Sequence, residues 1–525
     1  MMGNLSRLRA LGLALGAAVG LALPAQAADK VLRAVPQLEV RILDPFVNTN
    51  YGTRNHGHLI YETLFALDEQ RQPKPQMVGD WSLSDDKLTW RFTLREGLRW
   101  HDGKPVTAAD CVASLQRFMR KDGLGGKVAA AMETLSAEGE ATIVLKLREP
   151  FALVLDALAK PSGYAAFMMP ERIANLPDGS PQFEAIGSGP FVFRKDQWRP
   201  GVKSVYERNK DYKPRNEPVD GMGGGRVVKL DRVEWISMPD LNTAANALVA
   251  GEVDLMENMA FDVMPMLQSE PQVIVRVTDP TGNQPYLRMN HLHPPFNHPK
   301  ARQALLYIMD QDLYGQAVAG DKSLYSVCPA FLMCGTVYGS TAGAVKPDLE
   351  KARALMKEAG YAGEKIVILE PTNQAAFDAA SLVTASQLRK IGVNVDLQGM
   401  DYTSMLTRRN KKEPPAQGGW HLAHSGNVGV DVASPMTNVY LASNCEQAAA
   451  GWPCDAQIER LKDEFARAAT LEERKAVAEK IQLRAMEFVP YVPVMQTSTW
   501  MAHRKTIMNI PSTPIVVYWG VEKGG

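Results

Sequence analysis

The sequence predicts an α/β protein with mixed sheets, and three observations carry that prediction. Apolar residues alternate with polar ones at Leu88, Trp90, Phe92 and Leu94 and again at Ile143, Leu145 and Leu147, the period of half-buried strands. Helices with readable ends stand between such runs. Thr107 with Asp110 three residues on forms a capping box, and Val112, Leu115 and Phe118 then line one helical face. Lys365 to Leu397 reads strand, helix, strand, a parallel crossover unit.

In chain order the first element is a leader. Arg7 and Arg9 precede a 13-residue apolar run, Leu11 to Leu23, and Pro24-Ala25-Gln26-Ala27 supplies an A-x-A step. A basic start, a short apolar core and small residues at the cut predict a secretory signal peptide over residues 1–27. The run falls short of the roughly 20 residues that span a bilayer as a helix. No cysteine stands at the cut after Ala27, so a periplasmic product without a lipid anchor is expected. Gln272 to Val277, Ile366 to Leu369 and Val393 to Leu397 are further short strands. Asp348 opens a helix that Gly360 closes. A helix from about Asp455 is followed by one that Thr470 and Glu473 start, and the pair ends where Val489-Pro490-Tyr491-Val492-Pro493 forces an extended connector. Gly221-Met-Gly-Gly-Gly225 reads as a loop, without the strand–helix setting or lysine of a phosphate-binding loop.

Composition bounds the function. The chain has 525 residues, 45% of them hydrophobic, a length that suggests two or three domains. Its 58 basic and 58 acidic residues cancel, which argues against a nucleic-acid partner, since phosphate binding needs a basic field. Of five cysteines, Cys328 and Cys334 lie six apart and Cys445 and Cys454 nine apart. Two short, separate pairs in an exported chain predict two local disulfides, and neither has the CxxC spacing of a zinc site. Cys111 is left over inside a helical pattern and is expected to be a buried thiol.

Five ordered motifs point to a family. Asp80-Trp81-Ser82-Leu83-Ser84-Asp85-Asp86 through Arg95 runs into Trp100-His101-Asp102-Gly103-Lys104-Pro105-Val106-Thr107. Gly187-Ser188-Gly189-Pro190-Phe191, Arg208-Asn209-Lys210-Asp211-Tyr212, Ala250-Gly251-Glu252-Val253-Asp254 and Pro295-Phe296 with Ala301-Arg302-Gln303-Ala304 follow. Together they resemble the dipeptide, oligopeptide and nickel type (family 5) of periplasmic solute-binding proteins of ABC importers. Turn and cap chemistry gives these motifs structural work: they identify the fold rather than the ligand. The resemblance implies a two-lobed clamp of the large periplasmic-binding type II fold (cluster C). One lobe would span 28–281 plus 491–525, with an extra subdomain inserted at about 52–180, and the other 282–490. Ligand would sit between lobes whose closure presents a surface to the permease.

The same resemblance supplies candidate ligand residues. Family members that bind peptides hold the ligand's amino group with an aspartate four residues before a proline. In Ser425-Gly-Asn-Val-Gly-Val-Asp431-Val-Ala-Ser-Pro435 that residue is Asp431, with Asn427 or Gly426 where the family carries tryptophan. A buried carboxylate needs a cationic partner, and a primary ammonium brings three donors. The dipeptide binders hold the ligand's carboxylate with an arginine whose region here, Asn373-Gln-Ala-Ala-Phe-Asp378, has none. Arg54 and Arg288 are the arginines expected near the cleft, and Tyr51, Tyr286 and Trp420 are candidates for its aromatic walls.

His56-His58, His291-His293 with His298, and His421-His424 raise a nickel or metal-chelate ligand as the alternative within the family, but each pair lacks an evident third ligand and structural roles are expected. The alternative from another class is a secreted hydrolase. Gly187-Ser188-Gly189 lacks the G-x-S-x-G elbow, and there is no HExxH. The reading is therefore a non-enzymatic binding protein: monomeric, without cofactor or resident metal, partnered by a small-molecule or short-peptide ligand and by permease subunits.

Overall fold

The computed structural model describes residues 30–524, so the expected leader at 1–27 lies outside the described residues. The largest sheet holds 12 strands. Ten of them run in the order Val395–Met400, Ile366–Pro371, Leu422–Val428, Val273–Met289, Gln496–Arg504, Leu255–Met256, Val31–Val35, Arg232–Ile236, Lys203–Arg208 and Phe191–Phe193, while Tyr325–Ser326 pairs with Gln496–Arg504 and Val492–Pro493 with Val273–Met289 off this path. The crossover unit is present as expected: Ile366–Pro371 pairs parallel with Val395–Met400, and helix Ala375–Lys390 runs between them.

The strand Val273–Met289 joins the two halves of this sheet. Its first part pairs with Gln496–Arg504, and its last part, Asn283 to Met289, pairs with Leu422–Val428. The register against Gln496–Arg504 shifts twice, between Val277 and Asp279 and between Asp279 and Asn283. Gly282 sits in that stretch at φ +53°, and a Cβ there would lie 1.9 Å from the Thr497 carbonyl oxygen, so only glycine fits. Val492–Pro493 still pairs with Tyr286 and Leu287, and the returning chain crosses to the other half within Gln496–Arg504.

A separate four-stranded antiparallel sheet runs in the order Val78–Leu83, Thr89–Leu94, Thr142–Leu147 and Met132–Glu138, and its two central strands are the alternating runs read in the sequence. Trp90 faces Leu145 and Phe92 faces Ile143 across the central pair. Helix Ala108–Lys121 covers the sheet and carries both hydrogen bonds of the Thr107–Asp110 capping box. Cys111 is buried on it as a free thiol, its pKa driven up by burial. The glycines of Gly187-Ser188-Gly189 have a packing reason: Cβ atoms there would meet the Ile60 backbone at 1.8 and 2.7 Å.

Both expected cysteine pairs, Cys328–Cys334 and Cys445–Cys454, are disulfide-bonded. The second closes a loop that caps Arg288, and here the structure corrects the sequence reading. Arg288 is fully buried beneath that loop and donates to the carbonyls of Ala450 (2.7 Å), Tyr440 (2.9 Å), Pro490 (2.9 Å) and Ala449 (3.0 Å). Its donors are consumed by main chain, so Arg288 locks the loop to the crossing strand and offers nothing to a ligand.

Thiol titration of the unreduced protein in denaturant should find one reactive cysteine, Cys111; five would refute both bridges. Removing the Cys445–Cys454 bridge by a double serine substitution should cost roughly 2–3 kcal/mol. Arg288→Met, which strands four buried carbonyls, should cost roughly 3–5 kcal/mol in urea unfolding; an unchanged midpoint would refute the locking role.

Candidate functional site

The helix Tyr51–Ile60 opens the site. Asn50 caps it by accepting from the Gly52 N–H, and Gly52 is required because a Cβ would lie 2.3 Å from the Glu39 carbonyl oxygen. This places Tyr51 toward the distant strand Leu422–Val428. The Tyr51 hydroxyl accepts from the Val428 N–H (3.3 Å) and donates to Asp431 Oδ2 at 3.4 Å, a contact spanning 380 residues of sequence. Asp431 lies on the single helical turn Gly429–Val432 that follows the strand.

Arg54 stacks on the Tyr51 ring at 4.2 Å. Its Nη1 donates to Ser162 Oγ (2.8 Å), and its Nε and Nη2 donate to Asn55 Oδ1 (3.0 and 2.9 Å). Asn55 in turn reaches the buried Glu257 carboxylate at 3.5 Å. Burial lifts the Asp431 carboxyl above the ordinary aspartate range, with Arg54, Ser162 and Lys160 opposing that rise. Burial likewise raises the Tyr51 phenol, reinforced by Asp431, and lowers Arg54. The centre is a carboxylate whose neighbours compensate it incompletely, in contact with a side chain from the far end of the sequence. It can receive a cation with several donors.

A tyrosine cluster adjoins this centre. Tyr286 is fully buried, packed against Tyr440 at 4.5 Å and Tyr491 at 5.7 Å between ring centroids. Tyr286 stands opposite Ser425 in the strand register, and Ser425 Oγ is 2.8 Å from the Tyr402 hydroxyl. Phe377 stacks on Tyr402 at 5.7 Å and covers Gly426, where a Cβ would lie 3.2 Å from its ring. Asn427 stands opposite Gln284, two residues before Tyr286, in the same strand register.

The structure thus brings Tyr51, Arg54 and Asp431 together and sets Tyr286 and Asn427 on neighbouring strand positions. It does not bring Trp420 there. That side chain, just before the strand Leu422–Val428, is fully buried in a core cluster with Val367, Leu369, Met405 and Trp452. Sequence reasoning missed Ser162, Tyr402 and Tyr440, none of which carries a local motif.

The histidines are held by protein groups. His56 meets the Tyr206 hydroxyl, His58 the Pro161 carbonyl, His291 the Pro490 carbonyl, His293 the Lys412 carbonyl, His421 the Pro294 carbonyl, and His424 Thr384. His298 caps a helix. Burial pushes His56, His58 and His424 down to about 3. Ser188 donates to Glu62 (3.0 Å), which also accepts from Tyr212 and Arg95, while the neighbouring His101 is bonded to the backbone of Gly187 and Gly189. No helix among the described residues is long and apolar enough to cross a membrane.

Comparison with known proteins gives this geometry a lineage. Residues 72–450 match the family model of bacterial extracellular solute-binding proteins, family 5 middle region. The chain is 40% identical over 526 residues, covering 98% of each chain, to a probable peptide ABC transporter periplasmic-binding protein, y4tO, of Sinorhizobium fredii (strain NBRC 101917 / NGR234). It is 28% identical over 399 residues to the glutathione-binding protein GsiB of Salmonella typhimurium, covering 75% of this chain and 73% of that one. Among solved structures, the ABC transporter-associated periplasmic binding protein DppA from Helicobacter pylori, in complex with the peptide STSA, superposes with a TM-score of 0.79 at 22% identity, over 94% of this chain and 98% of that one. The fold is the two-lobed binding-protein fold, and the chain belongs to the family 5 extracellular solute-binding proteins.

Proposed function

We propose that this protein captures a small amine-bearing solute, a short peptide or an amino-acid-derived compound, in the cleft around Asp431 and delivers it to ABC permease subunits. The observation that carries the reading is the Asp431 carboxylate in contact with Tyr51, with Arg54 and Lys160 acting on it but no ion pair formed with it among the described residues. The names of its relatives support a peptide-like ligand: y4tO is a probable peptide-binding protein and GsiB binds glutathione. We place the lobes at about 28–281 with 491–525 and at 282–490. Tyr51 and Asp431 then meet across the cleft, as do Lys127 and Asp463 at 2.7 Å on its rim. Export through the leader at 1–27, a periplasmic site of action, a monomeric state and the absence of catalysis belong to the same reading.

Native mass spectrometry of the protein as isolated, set against a denatured sample, should show a non-covalent mass carrying a primary amine. Asp431→Asn should weaken that ligand tenfold or more in calorimetry, the loss of one charge-assisted contact of about 1.5–3 kcal/mol, with the fold intact; unchanged affinity would remove Asp431 from the site. A bound ammonium lowers the Asp431 pKa, so the complex holds fewer protons than the free protein. Affinity should be full above the raised free-state pKa and fall as pH drops through it. Turnover of peptide or ester substrates that Ser188→Ala abolishes would overturn the non-enzymatic reading.

A further inference from the structure

The turn at residues 68–72 joins the short strands Phe65–Leu67 and Pro73–Pro75, which pair antiparallel. It is braced from within and from without. Within it, the Asp68 N–H donates to the Gln72 carbonyl (3.0 Å), the Arg71 N–H to the Asp68 carbonyl (3.0 Å) and the Gln72 N–H to Asp68 Oδ1 (2.7 Å). From without, the glycine-rich loop Gly221–Gly225 presses on it. The Met222 N–H donates to the Leu67 carbonyl (2.8 Å), and the Glu69 N–H donates to Asp220 (2.9 Å). Gly221 stands at φ +57°, and a Cβ there would lie 2.6 Å from the Asp68 carbonyl carbon. The fully buried Arg226 fixes that loop in turn by donating twice to the Met222 carbonyl.

Arg71 sits in this braced turn at φ +61°, a conformation that glycine or asparagine adopts at less cost. Turn chemistry does not call for an arginine there, so its side chain accounts for it. Arg71 Nη2 donates to Asp279 Oδ1 (3.1 Å) and to Thr281 Oγ1 (2.6 Å). Thr281 donates to the same Asp279 oxygen from its N–H (3.0 Å) and its hydroxyl (2.5 Å). Asp279 is 4% exposed, so the ion pair is shielded from water on its acidic side. Both acceptors lie in the stretch of Val273–Met289 where the register shifts twice. Where the ladder is interrupted, backbone pairing no longer sets the path of the chain, and side-chain bonds can. The contact then passes directly to the site. Gly429, which begins the turn bearing Asp431, rests so closely on Thr281 that a Cβ on it would lie 3.1 Å from the Thr281 backbone.

We propose that Arg71 is a positioning residue of the hinge. Through Asp279 and Thr281 it fixes the bend of the crossing strand on which the Asp431 turn rests, and so sets how readily Val428 and Asp431 meet Tyr51, without touching the solute. Hinges are a few positions remote from the ligand that take up the change in backbone angles. The assignment rests on the division into lobes and the Asp431 cleft given above, since Asp279 and Thr281 are then the last residues of the first lobe before the strand crosses.

The Val428 N–H reports on closure directly, because it donates to the Tyr51 hydroxyl on the other side of the cleft. Hydrogen exchange at single-amide resolution is measured on protein freed of ligand by unfolding and refolding. The Val428 amide should exchange at least tenfold faster in Arg71→Gln than in the wild type, while the amides of Thr89–Leu94 in the small sheet keep their rates. Asp279→Asn, which removes the charge and keeps the shape, should reproduce this pattern. Arg71→Lys, which keeps the charge without the fork, should fall between wild type and Arg71→Gln, and it decides the matter if Arg71→Gln does not fold. A Val428 rate unaltered in the variants, or one that rises in step with the small sheet, overturns the assignment. The solute reading fails separately: if Asp431→Asn leaves the melting-temperature response to glycinamide unchanged, Asp431 leaves the site and the exchange rates still decide the role of Arg71.

Discussion

One strand has to serve both halves of the molecule, and most of the site follows from how it does so. A strand buried within a sheet must satisfy its backbone groups along its whole length. Val273–Met289 does this by changing partners midway, from Gln496–Arg504 to Leu422–Val428, with two register shifts and a glycine at the exchange. The exchange puts Tyr286 opposite Ser425 and carries the chain through Val428 to Asp431, within reach of Tyr51. Arg288, two residues beyond Tyr286, fastens the loop that bears Tyr440. A single backbone constraint therefore positions the phenols, the carboxylate and the loop that covers them.

How much of this was legible in the sequence depended on how local each determinant is. The capping boxes at Thr107 and Thr470 need only residues three apart, and both formed as read. The alternation at Trp90 and Phe92 fixes which face is buried, and the two cysteine pairs sit close in sequence, so the two central strands of the small sheet and both bridges were visible in advance. Asp431 was reached through resemblance, by counting back from Pro435, because nothing local distinguishes it from a loop aspartate. The arginines show where local reading stops. Arg54 and Arg288 looked alike as candidates, yet Arg54 stacks on Tyr51 beside the carboxylate while Arg288 is sealed by carbonyls from three distant segments. Trp420 failed for the same reason: its neighbours Val367, Met405 and Trp452 come from separate parts of the chain.

The buried charges fall into two groups with different physical roles. Arg117 with Asp44, and Arg288 with its carbonyls, are complete in themselves, and removing one partner would strand the other. Asp431 is incomplete: Arg54 and Lys160 oppose the rise in its pKa, but neither forms an ion pair with it among the described residues. A fold selected only for stability would replace it with an apolar residue or supply a closer partner, since a poorly compensated charge is costly to bury. Sites of function are where such local conflicts are retained.

That incompleteness bears on how the two halves of the clamp would act on each other. The Tyr51 hydroxyl accepts from the Val428 N–H at 3.3 Å and donates to Asp431 at 3.4 Å, so it partly satisfies the carboxylate on its own. On the reading proposed above, an ammonium that reached Asp431 would add three donors to a carboxylate that burial disfavours. Such a ligand would favour the arrangement in which Tyr51 and Asp431 meet, which is the differential affinity a population shift requires. Recognition of the solute and the shape of the protein would then be coupled through one contact between distant parts of the chain.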